Sequence, residues 1–158
     1  MRETNKMQSF HVVEVQLKKK KRMNQFEKRV ISPVDAGDFL QKTIAYKDRE
    51  WFCALGLDAK GFVNYFEVIH IGTLTQATIH PREVFKSAIM TNSNSIIIAH
   101  NHPSGDVDPS IADRTATRLI TDAGKIMGIE VLDHLIISDN KYYSLKENQT
   151  YYGGKNGQ

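Results

Sequence analysis

The chain has one cysteine, Cys53, in 158 residues. That excludes an internal disulfide and any cysteine-rich zinc site. Nor is there an apolar run near the roughly 20 residues needed to cross a bilayer. The opening MRETNKMQSFHVVEVQ lacks the apolar core of a signal peptide. No membrane association is expected, and the cytoplasm is the expected compartment. Neither sign of charge dominates, with 21 Lys and Arg against 18 Asp and Glu and a net charge of +3. The basic run Lys18, Lys19, Lys20, Lys21 and Arg22 supplies that excess, and without it the balance would turn slightly acidic. Such a run can hold a phosphate backbone. No aromatic residues interleave with it, so a solvated turn or arm is the plainer reading.

With 41% hydrophobic and 25% charged residues, the chain is expected to be one globular domain with a real core. Residues 1–30 read as an N-terminal arm, in which FHVVEVQL (10–17) has the β-branched character of a strand and the basic run follows. Ser32, Pro33 and Asp35 suit the N-cap, first turn and capping position of a helix running to about Tyr46. EWFCALGLD and FVNYFEVIHIG, separated by AKG, predict a hairpin, and TLTQATIH is a candidate extension of the sheet. Pro81 opens a short amphipathic helix with Val84, Phe85, Ala88 and Ile89 on one face. SIIIA (95–99) has the continuous apolar character of a strand covered on both faces. A second helix is expected from about Ser110 to Met127, with Ala112, Ala116, Leu119, Ile120, Ala123 and Met127 at helical spacing and Gly128 at its end. IEVLDHLIIS and YYSL flank a turn at DNK, and residues 149–158 read as a flexible tail. The mixture without regular βαβ alternation predicts α/β or α+β architecture with a mixed sheet.

The stretch AHNHPSGDVDPSIADR (99–114) carries the chemistry. His100 and His102 lie two apart behind the buried-type strand, so an extended chain points both to one face, roughly 7 Å apart at Cα. Pro103 favours that conformation at His102. Two imidazoles can take two corners of a tetrahedral metal site, and Asp113, in the first turn of the next helix, can fold back as the third ligand. His, His and carboxylate leave one zinc position for water, the arrangement of catalytic zinc, whose bound water has a pKa of about 7. A carboxylate that shuttles the proton would complete a hydrolase. A structural reading stands beside this one. Ser110 and Asp113 have the spacing of a helix capping box, and a metal-bound Asp113 would not also serve as capping partner, so the two readings compete at that side chain. Two lookalikes fail. HNH is only three adjacent letters here, and DVDPS lacks the glycine and glutamate of a calcium loop, having Ile111 and Thr117 instead.

His100-x-His102, seven residues, Ser110, two residues, Asp113 matches the JAMM signature, and the chain resembles the JAB/MPN superfamily. AHNHPSGD with SIAD is most similar to its RadC-type domain, as are DREWFCALGLDAKGFV, HIGTLTQATIHPREVFKSAI and LDHLIISDNKYYSL. The resemblance places the JAB domain at about residues 31–148. It implies a mixed sheet flanked by helices, of the cytidine-deaminase-like kind. It further implies that His100, His102 and Asp113 hold one zinc ion per chain, that Ser110 steadies the oxyanion, and that Glu50 is the general base. Glu67 and Glu83 remain alternatives for the base. Full-length RadC proteins carry an N-terminal helix-hairpin-helix module that contacts DNA, and residues 1–30 leave no room for it, so the family's DNA-repair label is expected to transfer poorly.

Two functions follow as expectations. The first is a zinc metallopeptidase of the JAMM type, cleaving peptide or isopeptide bonds in a protein or peptide substrate. The second is a DNA-associated accessory protein in which the JAB fold mainly binds, resting on Lys18–Arg22. His134 reads as a structural histidine at a strand start, with a supporting place beside the metal as the sharper alternative. Cys53 reads as buried and inert.

Overall fold

A computed structural model of the chain describes residues 13–18, 29–73 and 79–153. Within them, α1 (Pro33–Ile44), β1 (Trp51–Leu57), β2 (Val63–Ile71), α2 (Pro81–Met90) and β3 (Ser95–Asn101) precede α3 (Ile111–Met127). β4 (Glu130–Ile137), β5 (Lys141–Ser144) and β6 (Gln149–Tyr152) complete the order. The strands form one mixed sheet, β2-β1-β3-β4-β5-β6. Only β3 and β4 run parallel, and α3 is the crossover between them, the connection that a parallel pair requires.

Alternation along the central strands sorts the core into two layers. Cys53, Leu55 and Leu57 of β1 and Ile97 and Ala99 of β3 pack with Ala36, Phe39, Leu40 and Ile44 of α1. Phe52, Ala54, Ile96 and Ile98 point the other way, against Val84, Phe85 and Ala88 of α2 and Ala116 and Ile120 of α3. β3 is buried along its whole length. Because its side chains alternate, His100 falls on the α3 face and Asn101 on the α1 face.

Both long helices start as their sequences dictate. The Asp35 carboxylate accepts from the Ser32 backbone N–H at 2.9 Å, and Asp113 does the same for Ser110 at 2.8 Å. Gly128 ends α3 at φ 69°, where a side chain would be strained. Helix α1 ends at Ile44, two residues before the expected Tyr46.

Four expectations need correction. Residues 13–17 of the expected strand are irregular and exposed, with Val13 at 77%. No apolar partner covers them among the described residues, and β-branching alone does not make a strand. The start of the expected tail is β6, paired with β5, where Tyr151 stacks on Tyr142 with ring centroids 5.6 Å apart. Ile89 is exposed, on the outer side of α2. The inward face of α3 is Asp113, Ala116, Ile120 and Gly124, while Leu119 and Met127 are exposed. That face is rotated from the purely apolar stripe because a polar residue, Asp113, is drawn inside. Residues 10–12, 19–22 and 74–78, which carry part of the expected arm strand, most of the basic run and the sheet extension, lie outside the described residues.

Candidate metal centre

The site is built where β3 ends. His100, fully buried, projects toward α3. His102 follows the strand, and its backbone N–H donates to the Ile137 carbonyl of β4 at 2.9 Å. The chain then turns. The Gly105 N–H returns to the His102 carbonyl at 3.0 Å, and Gly105 takes φ 82°, a conformation that glycine adopts without strain. Val107 sinks into a small cluster with Ile136 and Tyr143, pinning the loop between its two ends. Ser110 then caps α3 and delivers Asp113 one turn in, 3% exposed.

Nε2 of His100 and Nε2 of His102 lie 2.9 Å apart. Asp113 Oδ1 is 3.1 Å from the first and Asp113 Oδ2 3.7 Å from the second. Each imidazole uses its Nδ1 elsewhere, His100 against His134 Nε2 at 2.8 Å and His102 against the Asp106 carbonyl at 2.7 Å. Both therefore turn Nε2 toward the carboxylate. Ligand atoms about 2.0–2.1 Å from a tetrahedral zinc stand roughly 3.3 Å from one another, and the three separations bracket that value. The donor set fits a metal ion, and His100, His102 and Asp113 could hold one.

Electrostatics agree with the geometry. Burial holds the His100 imidazole below its ordinary value, against the pull of Asp113. At His102 burial works the same way, but Asp113 and the Asp106 carbonyl outweigh it and the value rises. Burial alone would raise the Asp113 carboxyl, yet the hydrogen bonds of His100 and His102 prevail and hold it far below the usual carboxylate range. That direction favours the carboxylate anion, the form a metal ligand takes.

The expected competition at Asp113 does not occur. Oδ2 accepts the Ser110 N–H and, at 2.6 Å, the Ser110 hydroxyl, while Oδ1 faces His100. A carboxylate has two oxygens with several lone-pair sites, so it caps the helix and still faces His100. The Ser110 hydroxyl places its one hydrogen on Asp113 and accepts from the Asp113 N–H at 3.1 Å.

Glu50 immediately precedes β1, and its charge acts on both His100 and His102, favouring their protonated forms. Of the other two glutamates, Glu83 is ion-paired to Lys86 at 2.6 Å on the exposed side of α2, and Glu67 lies on β2 opposite Ala54. The placement of Glu50 has a cause that the sequence did not reveal. Asn101, fully buried, accepts from the Trp51 N–H through Oδ1 at 2.7 Å. Its Nδ2 donates to the Arg49 carbonyl at 3.2 Å. One side chain thus holds the backbone on both sides of Glu50. Phe52, paired with His100 across β1 and β3, lies against both His100 and His134. A groove of about 330 Å³ between Ala45–Lys47 and the 103–105 turn opens beside His102. The larger groove, about 470 Å³, runs between α3 and β4 and meets Thr117 and His134 instead.

Cys53 is buried, its thiol pushed up by burial and set 3.4 Å from the Ala99 carbonyl. Lys18 is exposed, and Lys19–Arg22 lie outside the described residues. Among the described residues no helix is long and apolar enough to cross a membrane.

Residues 30–150 match the RadC-like JAB domain. A UPF0758 protein of Desulfitobacterium hafniense is 50% identical over 116 residues, 73% of this chain and 51% of its own length. UPF0758 proteins of Staphylococcus carnosus and Methanosarcina mazei are 47% and 43% identical, over 75% and 77% of this chain and 53% of their own lengths. The chain spans about half the length of the curated relatives it matches.

Proposed function

This chain belongs to the RadC-like JAB domain family, and from that premise we propose that it is a zinc-dependent hydrolase of peptide or isopeptide bonds. The observation that supports this most is the convergence of two Nε2 atoms and one carboxylate at the end of a fully buried strand. His100, His102 and Asp113 would hold the ion. Zinc bound there supplies Lewis acidity and brings the pKa of water near 7. Glu50, whose flanking backbone Asn101 holds and whose charge reaches both histidines, would take the proton of the attacking water and pass it to the leaving amine. Ser110 turns its hydroxyl from Asp113 to the developing oxyanion, a donor placed where negative charge gathers. The scissile bond approaches through the groove between the end of α1 and the 103–105 turn, where Tyr46, Lys47 and Asp139 offer polar contacts.

Metal analysis of the purified protein beside His102→Gln tests the reading. Close to one zinc per chain is expected in the wild type, and less than a tenth of that in the variant. A wild type that takes up no zinc would overturn it. The DNA-binding reading rests on Lys18–Arg22, of which Lys18 alone is among the described residues.

A further inference from the structure

Thr117 has one hydroxyl hydrogen and two close neighbours. Its Oγ1 lies 2.6 Å from the Asp113 carbonyl and 2.6 Å from His134 Nδ1. A carbonyl oxygen only accepts, so the hydrogen belongs to that bond. Toward His134 the same oxygen must therefore accept, and His134 carries its hydrogen on Nδ1. His134 is 1% exposed, and its ring nitrogens meet the Thr117 hydroxyl and His100, neither of them a carboxylate, so burial favours the neutral ring. Its Nε2 is then a bare lone pair, facing His100 Nδ1 at 2.8 Å. His100 must supply the hydrogen from Nδ1, which fixes the ring so that Nε2 is the nitrogen aimed at His102 and Asp113.

We propose that Thr117 and His134 are positioning residues that set the tautomer and ring orientation of His100 as a metal ligand. The relay starts at the backbone of one candidate ligand, Asp113, and ends on the ring of another. The helical turn from Asp113 to Thr117 thereby ties α3 to β3 and β4 through hydrogen bonds of defined polarity. Partners of this kind tune metal affinity by about 10–100-fold. The inference rests on the metal-binding reading above and adds to it which protons the site needs before an ion arrives.

Two measurements on the full chain test it. Long-range ¹H–¹⁵N correlation of the metal-free, ¹⁵N-labelled protein should find His134 and His100 both protonated at Nδ1. A hydrogen on His134 Nε2 would overturn the relay, and this measurement needs no variant to fold. Zinc affinity, read by chelator competition, should fall about 10–100-fold in Thr117→Val, which removes the acceptor. Thr117→Ser, which restores the hydroxyl, should return it to within a few-fold of wild type. Equal affinity in Thr117→Val and wild type would sink the relay while leaving the metal centre standing. Failure of the wild type itself to bind zinc would instead remove the metal centre, and the relay's purpose with it.

Discussion

Helices α1 and α3 begin with the same chemistry, Ser32-x-x-Asp35 and Ser110-x-x-Asp113, and each aspartate takes the N–H and hydroxyl of its serine. The two starts nevertheless differ in kind. Oδ2 of Asp35 collects a third local donor, the Ile31 N–H at 3.0 Å, on an exposed surface. Asp113 is buried and keeps Oδ1 for His100, which arrives from a strand that ends at Asn101, on the far side of the loop. A capping box is therefore neither evidence for nor against a metal site. What separates the pair is whether tertiary structure brings imidazoles to the second oxygen.

The largest effect that would break the comparison is on metal. Asp113→Asn should weaken zinc binding by more than about a hundredfold, beyond the range usual for outer partners. Asp35→Asn should leave it unchanged. Chelator competition on both, with circular dichroism to show retained fold, decides the matter. Equal losses would mean that Asp113 acts only as a cap.

Next in size is turnover. Glu50→Gln should keep zinc yet lose about 10²–10⁴-fold in hydrolysis of a peptide or isopeptide substrate. Undiminished hydrolysis would remove Glu50 as the base.

The third test is acid. Asp113 has a folded value far below its unfolded one, so its stabilisation is complete above the ordinary carboxylate pKa and is lost as pH falls below it. Urea midpoints of the metal-free protein between pH 5 and 2.5 should fall more steeply than those of Asp113→Asn, by up to about 1.4 kcal/mol per pH unit. Parallel curves would contradict the shift.

Smallest are the caps themselves. Ser32→Ala and Ser110→Ala should each cost about 1 kcal/mol in denaturant unfolding. Only Ser110→Ala should also change zinc affinity, through the loosened Asp113 carboxylate. A change in both, or in neither, would show that the caps do not differ as described.

Elements whose signals are local were legible in the chain. The Ser-Pro-x-Asp start of α1, the AKG hairpin, Pro81 at the head of α2 and Gly128 at the end of α3 all stand where residue chemistry puts them. The clustering of the three candidate ligands was legible too, because His100 and His102 stand at a strand end and Asp113 lies one loop away. What was not legible depends on contacts distant in sequence. β6 exists because β5 offers it an edge and Tyr142 a ring. Asn101 reaches back to Arg49 and Trp51, and His134 comes to His100 from the next strand. Spacing marks neither partner, and residue type pointed to His134 only as the alternative to a structural histidine. The inward turn of Asp113 also shifted the buried face of α3, since hydrophobic patterning does not count a carboxylate as core.

β3 lies between β1 and β4, with α1 over one face and α2 and α3 over the other. Backbone amides so enclosed exchange with solvent only when the molecule opens as a whole. An ion held by His100 would thus meet a strand already formed, whereas a zinc finger's ligands are ordered by the ion itself. The connection carrying Pro103, Ser104 and Gly105 is held differently, by the buried Val107 and by the His102 contacts to Gly105 and Asp106. Of the three candidate ligands only His100 lies in the sheet, while His102 and Asp113 stand at the two ends of the loop that joins it to α3.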